Sequence, residues 1–436
     1  MKTFTGKRFG IWLQIMLIAL LSLQEASAQS ILQKVTNRTE QSATDKILQK
    51  TDKTVSKGMD VIFESHAQKQ VPEESNRQEN VQENMKPQQI QAFSKYDFVP
   101  GDTVVYSNDF ATESLGELPT GWNSNGNSVV VKLDGQEAQW FRLSQKSTNF
   151  TDNKAQFGPH FTAEFDLLLQ PEFKGWAQPS FSFGLLASGH EDPASNKFLN
   201  DPKGNKSFYM EISPLTNGIN ALLESYQKYT RYFHSPVAFN PVGKGWFGRI
   251  VHVAIQAQKE RLRIWIDGEK LYDIPKALPI EGSYNQLFFQ LGSSPYEDEQ
   301  VGVFISNIKI AKGLPDSRNK LLNEGSFSTT GILFDSGAAV IKPESIGVLK
   351  EIATILNQQS DLKLQIVGHT DDVGSETANQ QLSEQRALSV KSFLTQKLGI
   401  ATDRLTCQGK GESAPVADNK TSRGKAQNRR IEFIRM

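Results

Sequence analysis

Cysteine and histidine are scarce in this chain. Its 436 residues include one cysteine, Cys407, and six scattered histidines. A single cysteine excludes an intramolecular disulfide, and no cysteines and histidines share the spacing of metal ligands. We therefore expect no metal site, no cofactor and no catalytic thiol. Cys407 is expected to pack as a small hydrophobic residue.

An excess of charge of either sign is also missing. The chain has 48 Lys and Arg against 48 Asp and Glu, so it shows no basic footprint for nucleic acid. The main hydrophobic run, residues 9–23, follows a basic start and precedes Ala26-Ser27-Ala28. This run is too short to span a bilayer, and the pattern predicts a secretory signal peptide over 1–28. We therefore expect an exported protein.

Residues 29–95 are polar and nearly free of aromatic side chains. The word "ILQK" occurs at 31–34 and again at 47–50, and a weak helical stripe predicts a helix within 29–66. Residues 67–95 have too little apolar content to pack, which indicates a flexible linker.

Short runs of alternating apolar and polar residues begin at Tyr96 and continue to residue 315. Strands are predicted at 161–169, 251–258, 261–268 and 301–311, with a hairpin turn at Lys259-Glu260. Because the region shows no long helical pattern, we expect one all-β domain over 96–315. Its "IDG" turn and late "SNIKIAKG" strand resemble concanavalin/laminin-G-like jelly-roll sandwiches.

The sequence leaves the partner of this β domain open. Sandwiches of this kind often bind glycans through exposed aromatic side chains, although tryptophans in β domains are more often buried. The candidates are Trp122, Trp140, Trp176 and Trp246. A glycan and an outer-membrane protein therefore both stay as candidate partners. We expect no catalysis, because Glu297 and Glu299 only resemble adjacent strand-start residues and not the paired carboxylates of a glycosidase.

Residues 325–436 change to alternating strands and helices. "GILFDSG" and "DLKLQIVG" predict strands, and Pro343 opens a helix with apolar residues on one face. A second helix is predicted from about Glu376 to Leu398, with Gly399 as its C-terminal stop. "RLTCQG" and "RRIEFIRM" supply two more strands. The predicted order is β-α-β-α-β-β, an α/β sandwich.

The stretch "GHTDDVGSETANQQLSEQRALSV", residues 368–390, places charged side chains where a loop enters the second helix. Asn379, Leu382 and Arg386 fall on one helical stripe. A carboxylate from the loop and the Arg386 guanidinium would suit a ligand that carries both an ammonium and a carboxylate. A second interpretation stays open at this point, in which Asp371 caps a turn and Arg386 lies on a solvated helix face.

Four stretches carry a family resemblance: "FDSGAAVIKPES", the 368–390 stretch, "GKGESAPVADN" and "AQNRRIEF". In this order they resemble the OmpA-like C-terminal domain over 331–434. That domain is shared with peptidoglycan-associated lipoproteins and flagellar stator proteins. The resemblance implies non-covalent binding of peptidoglycan through diaminopimelate of the stem peptide, whose side chain ends in an ammonium and a carboxylate.

The resemblance also implies which residues hold this ligand. The family's aspartate falls on Asp371 and its arginine on Arg386, while the backbone around Val373 and Gly374, with Asn379 and Leu382, shapes the pocket. Asp335 matches a position that contacts ligand in some members. Arg430 lies in another family motif, and a structural role for it stays equally open. The implied set is Asp371, Arg386, Val373, Gly374, Asn379, Leu382, Asp335 and Arg430.

The expected protein is a non-enzymatic tether between peptidoglycan and the outer membrane or other envelope components. It would lie at the periplasmic face of the outer membrane of a diderm bacterium. Two alternatives remain from the sequence. One is an integral outer-membrane β-barrel of the OmpA type, and the other is a wall-anchored carbohydrate-active enzyme.

Overall fold

The computed structural model of the protein describes residues 96–436 except Pro193, Asn205 and Pro315. The predicted signal peptide (1–28), helix (29–66) and linker (67–95) lie outside the described residues. Among the residues that are described, no helix is both long and apolar enough to cross a membrane.

Two antiparallel sheets of eight strands each are built from residues 103–312. The first sheet contains β1 (Thr103–Asn108), β3 (Val129–Lys132), β4 (Gln139–Arg142), β6 (His160–Pro171), β12 (Ile250–Gln258), β13 (Arg261–Ile266), β14 (Glu269–Ile274) and β16 (Val301–Lys312). The second sheet contains β2 (Asn123–Ser124), β5 (Ser147–Phe150), β7 (Phe181–Ala187), β8 (Lys206–Leu215), β9 (Gly218–Gln227), β10 (Thr230–His234), β11 (Ala238–Asn240) and β15 (Gln286–Leu291).

The spatial order of the strands differs from their order in the chain. The first sheet runs β14-β13-β12-β6-β16-β4-β3, with β1 also beside β16. The second runs β10-β9-β8-β7-β15-β5-β2, with β11 also beside β9. The four predicted strands correspond to β6, β12, β13 and β16, and Lys259 has the left-handed φ of 56° that the predicted hairpin turn uses. The all-β class is therefore observed, while the jelly-roll topology stays a prediction.

Alternate residues of each strand face the space between these two sheets. On β6, Phe165 points into the core, where its ring lies 5.1 Å from that of Phe183 and 5.2 Å from that of Phe289 on the second sheet. Glu164 and Asp166, on either side of Phe165 in the chain, lie on the outer face of the first sheet. This alternation is what a strand with period two requires of a sandwich.

Three of the four candidate tryptophans belong to buried clusters. Trp122, Trp140 and Trp246 are all buried, which removes them as exposed glycan-binding residues. Trp122, for example, packs on Phe141 and donates its Nε1 hydrogen to the Tyr106 hydroxyl at 3.0 Å. Trp176 is different, because 64% of it is exposed.

A third sheet and three helices form the C-terminal part. The strands are β17 (Ser326–Thr329), β18 (Leu364–Gly368), β19 (Leu405–Gly409) and β20 (Ile431–Arg435), in the order β17-β20-β18-β19. The helices are α1 (Ile346–Gln358), α2 (Glu376–Gln396) and α3 (Ser422–Asn428). Strands β18 and β19 are parallel and the other pairs are antiparallel. The helices and this sheet bury a common core that includes Leu349, Leu364 and Val390.

Two details of the predicted β-α-β-α-β-β order differ from the structure. "GILFDSG" does not form the first strand, which lies earlier at β17. Instead, Phe334 makes an isolated bridge with Ile341, and the Lys342 N–H donates to the Leu333 carbonyl at 2.9 Å. This local turn satisfies the segment's own hydrogen bonds. Helix α3 was also missed, because it is short and polar and its start depends on the Thr421 side chain.

Short helical turns join many of these elements. They are Asn196–Phe198, Pro241–Trp246, Asp298–Gln300, Ser317–Asn319, Lys320–Glu324, Pro343–Ser345 and Thr402–Arg404.

The segment 96–100 lies between the outer face of the first sheet and helix α1. The Phe98 ring packs edge-on against Trp265 with centroids 5.2 Å apart. On its other side, a Cβ atom added to Gly347 would lie 2.1 Å from the Phe98 carbonyl oxygen. The described residues of 96–436 thus belong to one compact unit. The predicted domain limits, 96–315 and 325–436, stay a prediction within that unit.

Candidate functional site

Two glycines allow helix α2 to lie directly on the third sheet. Gly368 and Gly409 are paired at the ends of the parallel strands β18 and β19. A Cβ atom at Gly368 would lie 2.1 Å from the Ser383 carbonyl oxygen, and one at Gly409 would lie 2.5 Å from the Glu384 nitrogen. Because neither glycine has a side chain, the first turns of α2 approach the strand ends closely. The loop 369–375 therefore lies beside the start of the helix.

Side-chain hydrogen bonds fix this loop against the helix. Ser375 caps α2, since its hydroxyl accepts the Ala378 N–H at 3.2 Å. Gly374 has a φ of 105°, a conformation that favours glycine. The Asn379 amide donates to the Asp371 carbonyl at 3.3 Å and to the Glu412 carboxylate. These contacts set the position of Asp371.

Asp371 is the centre of a compact charge cluster. Only 7% of Asp371 is exposed, and its Oδ2 accepts a hydrogen bond from Arg429 Nη1 at 2.6 Å. Its Oδ1 accepts the Val373 N–H at 3.3 Å. Arg386 lies close enough for both groups to affect it. Burial and the Arg429 guanidinium lower the pKa of Arg386, while Asp371 raises it.

Arg386 is half-buried, and the Nε edge of its guanidinium is held by a hydrogen bond. Its Nε donates to the Ala338 carbonyl at 3.0 Å, and its guanidinium carbon lies 5.0 Å from the Phe334 ring centroid. The two Nη groups of Arg386 have no hydrogen-bond partner within the described part of the chain. A planar guanidinium held in this way can offer both Nη groups to one carboxylate.

Apart from Arg430, three predicted residues of the site remain to be located. Val373 is exposed beside Asp371, and Leu382 is half-buried on the stripe that also carries Asn379 and Arg386. Asp335 is exposed in the turn that provides the Ala338 carbonyl to Arg386. The role of these three residues as ligand contacts stays a prediction.

Arg430 lies apart from this cluster. It is buried, and its guanidinium donates to the main-chain carbonyls of Ala414 at 3.1 Å and Asn428 at 3.4 Å. These contacts hold Arg430 in the fold, and its assignment as a ligand-binding residue stays a prediction. Its neighbour Arg429, and not Arg430, contacts Asp371. The "NRR" motif supplies two adjacent arginines, and the sequence offers no signal for which of them faces Asp371.

The β-sandwich also reaches this cluster. The second Nη of Arg429 lies 3.6 Å from Oδ2 of Asp109, in the loop after β1. Nearby, the Val104 N–H of β1 donates to the Gln427 side chain of α3 at 2.9 Å. Asp371, Arg429 and Asp109 thus form a chain of alternating charges that links the two regions of the molecule.

The cluster combines one carboxylate with two guanidinium groups at a loop–helix junction. Such an arrangement can bind a small ligand that carries an ammonium and a carboxylate, because each ligand charge meets a group of opposite sign. Within residues 96–436, as far as they are described, no group of His, Cys, Asp or Glu could hold a metal ion. The fold and the cluster together define an α/β domain with a candidate site for a small ionic ligand.

Residues 333–429 match the family model described as OmpA family, which confirms the predicted family of the C-terminal domain. Outer membrane porin F of Pseudomonas fluorescens is 45% identical over 101 residues, which are 23% of this chain and 31% of that protein. Outer membrane protein A of Bordetella avium is 38% identical over 136 residues, or 30% of this chain and 64% of that protein. Each of these relatives is therefore matched over less than two thirds of its own length.

Among solved structures, the peptidoglycan-associated lipoprotein from Burkholderia pseudomallei is similar to part of this chain. It is 25% identical, with 28% of this chain and 98% of that chain covered and a TM-score of 0.24.

Proposed function

We propose that the protein is a peptidoglycan-binding protein of the cell envelope of a diderm bacterium, and that diaminopimelate is the ligand of its C-terminal domain. The observation that carries this proposal is the cluster of Asp371, Arg386 and Arg429 inside an OmpA family domain. The free end of the diaminopimelate side chain carries one ammonium and one carboxylate. Those two charges complement the carboxylate and the guanidinium groups of the cluster.

The geometry suggests how the ligand enters. Arg429 holds Oδ2 of Asp371 in the free protein, so the ligand ammonium displaces Arg429 from that oxygen. The ligand carboxylate then meets the two free Nη groups of Arg386, and the displaced Arg429 stays beside Asp109. Binding exchanges an internal ion pair for two intermolecular ones. Because hydrogen bonds to charged groups contribute about 1.5–3 kcal/mol each, one site should bind only moderately.

A moderate site is sufficient for a tether. The wall presents the same stem peptide many times, so a dissociated protein rebinds at a neighbouring site. The family match and the outer-membrane names of the relatives support a place in the envelope. In this proposal the protein links the outer membrane or other envelope components to the wall by binding and not by catalysis. The β-sandwich provides a second binding surface, for a glycan or a protein.

Co-sedimentation of the full chain with insoluble peptidoglycan tests the ligand. The chain should sediment with diaminopimelate-type wall and far less with lysine-type wall, because a lysine side chain lacks the carboxylate that Arg386 receives. Asp371→Asn should lose this binding, since the amide keeps the shape but not the charge that attracts the ammonium.

Asp372→Asn is the matched control. Asp372 is the neighbouring, exposed residue, with its own ion pair to Lys425 at 3.8 Å. The Asp372→Asn variant should bind the wall as the unmodified protein does. Equal binding to both wall types, or wild-type binding by Asp371→Asn, would contradict the proposal.

A further inference from the structure

The outer face of the first sheet is divided into a covered half and an open half. On the covered half, Ala254 and Trp265 are buried beneath Tyr96 and Phe98. On the open half, Trp140, Leu168 and Phe304 form a separate apolar cluster. These three side chains are themselves buried, and the partly buried Val131 and Leu133 pack against them. The solvent side of an antiparallel sheet is normally polar, so this buried apolar layer gives the open half of the face an unusual apolar floor.

A cavity of about 740 Å³ opens above this apolar cluster. Its volume lies in the range of small-molecule sites. Apolar lining comes from Val131, Leu133, Phe247 and Phe304. Polar lining comes from Gln170, Glu172, Glu299, Gln300 and Arg142. The cavity therefore has an apolar floor with several hydrogen-bonding groups around it.

Among the described residues that line the cavity, Arg142 has the most hydrogen-bond donors left without a partner. Its side chain is 29% exposed, and its contact is a long ion pair of 3.9 Å with Glu299, which is itself 80% exposed. A guanidinium has five N–H donors. In the described part of the chain, none of these donors makes a hydrogen bond within the usual distance. A ligand that accepts hydrogen bonds at this position would therefore gain partners that the protein leaves open.

The lining selects against several classes of ligand. Glu172 and Glu299 repel anions, and Arg142 repels cations. A purely apolar ligand would remove Arg142 and the two glutamines from water without giving them hydrogen bonds, which is unfavourable. A neutral ligand with an apolar face and many groups that both donate and accept fits this mixed lining best.

The position of the cavity also argues against an extended peptide. Peptides commonly bind by adding a strand to an unpaired sheet edge. Here the cavity lies on the face of the sheet, where β16 is paired with β6 and β4, and β4 is paired with β16 and β3. The backbone of these strands is already hydrogen-bonded, so recognition depends on side chains.

From this geometry we propose that the cavity binds a neutral oligosaccharide. The C–H face of a sugar ring packs on Phe304 and Val131, and adjacent hydroxyls bond to Arg142, Glu299 and Gln170. Sugar hydroxyls both donate and accept, so they satisfy a carboxylate, an amide and a guanidinium at once. This inference rests on the proposed function in one respect, because it assigns a ligand to the second binding surface proposed for the sandwich.

A loop beside the cavity offers an additional aromatic surface. It begins at the lining residue Glu172 and carries Trp176. The Tyr296 hydroxyl accepts the Lys174 N–H at 2.8 Å and donates to the Trp176 carbonyl at 3.1 Å, and Phe173 packs on the lining residue Phe247. The loop backbone is thus held in place while Trp176 stays exposed. Trp176 is expected to stack on a sugar ring that extends beyond the cavity.

Calorimetric titration of the full chain tests the proposal. The probes are three neutral hexasaccharides, cellohexaose, maltohexaose and hexa-N-acetylchitohexaose, with hexagalacturonate and a tetra-alanine peptide as charged and peptide comparators. At least one neutral hexasaccharide should bind saturably. Arg142→Gln should weaken that binding at least tenfold, and Trp176→Ala should weaken it by a smaller factor.

Arg261→Gln is the matched control, because Arg261 lies on the same sheet outside the cavity and is paired with Asp273. The affinity of the Arg261→Gln variant for the sugar should match that of the unmodified chain. The proposal is overturned if no neutral hexasaccharide binds, if Arg142→Gln binds like wild type, or if hexagalacturonate or the peptide binds more tightly. Asp371→Asn should keep full sugar binding, so a failure of wall recognition and a failure of the cavity are separate results.

Discussion

At the scale of single residues, the carboxylate of Asp371 is already paired before any ligand arrives. The sequence indicates no partner for this carboxylate within the protein, whereas the structure gives it Arg429 at 2.6 Å. The pair keeps a nearly buried charge from being left without a partner, which would be costly. In the proposed mode of binding, Arg429 therefore competes with the ligand ammonium for Asp371. Specificity would then depend on a ligand whose carboxylate gains a partner in Arg386 as its ammonium displaces Arg429.

The first prediction separates ligand binding from folding at Arg386. Arg386→Ala removes the group that receives the ligand carboxylate, so co-sedimentation with diaminopimelate-type wall should be lost. Stability should fall by only about 1–2 kcal/mol, because the side chain makes one hydrogen bond to Ala338 and one contact with Phe334. Denaturant unfolding of the same samples measures this cost.

Two variants calibrate the Arg386 result. Arg423→Ala removes an exposed arginine of α3 and should change neither binding nor stability. Leu349→Ala removes a fully buried side chain of α1 and should cost about 2–5 kcal/mol. If Arg386→Ala unfolds the domain as Leu349→Ala does, Arg386 is a structural residue and the ligand assignment for it fails.

At the scale of elements, the site depends on how closely α2 approaches two strand ends. The local pattern sets where the helix begins, since Ser375 caps it and Glu376 starts it. The distance between the helix and the sheet is set by Gly368 on β18 and Gly409 on β19, and both lie outside the helix. The loop that carries Asp371 leaves β18 directly after Gly368. A change in helix position therefore changes the site.

The second prediction concerns this contact. Gly368→Ala places a methyl group against the Ser383 carbonyl, so α2 must move away from the sheet. We expect a loss of about 1–3 kcal/mol in unfolding free energy together with weaker wall binding. Gly245→Ala is the control, because a Cβ atom there meets open space. Unchanged stability and binding in Gly368→Ala would show that the close approach is not required.

At the scale of the whole molecule, a buried charge cluster lies where the C-terminal region meets the first sheet. His252 lies 2.8 Å from Asp166 and 3.3 Å from Glu164, both on the outer face of β6. Lys309 pairs with Glu164 at 3.2 Å and also donates to the Thr330 carbonyl at 3.3 Å. Thr330 belongs to the C-terminal region, so the cluster connects the sandwich with it.

The third prediction is a pH dependence of stability. Burial alone would lower the pKa of His252, but its hydrogen bonds to Asp166 and Glu164 raise it to about 9. The charged histidine therefore stabilises the fold fully below its ordinary pKa of about 6.5, and this contribution is lost as the pH rises towards 9. The thermal midpoint of the full chain should fall by several degrees over that interval.

The two carboxyl groups add a separate, acidic limit to the stability of the cluster. Burial would raise the pKa of Glu164, but Lys309 and His252 lower it below its usual value, and His252 does the same for Asp166. Their contribution is present above the unfolded-state pKa of about 4 and is lost in more acidic solution. His252→Gln should lower stability at pH 6.5 and remove the decline towards pH 9. His190→Gln, at an exposed histidine, should retain the decline, and a flat profile for the unmodified chain would refute the prediction.

The sequence by itself determined the features that depend on near neighbours. Alternation located β6, β12, β13 and β16, and the stretch from Ser375 to Gly399 located α2 within a few residues. The ordered motifs of 331–434 were sufficient to identify the OmpA family domain. These features are readable because strand and helix periodicity and capping act over only a few residues.

Only the tertiary structure decided which distant groups meet. Arg429 pairs with Asp371 across 58 positions of the chain, and Asp109 reaches the same cluster from the sandwich. The cavity on the first sheet joins residues as separate as Val131, Arg142 and Phe304. Periodicity shows which face of a strand is buried, but not which strand lies beside it or how closely. Ion pairs and cavities depend on those distances, so they follow from the packing of the whole chain.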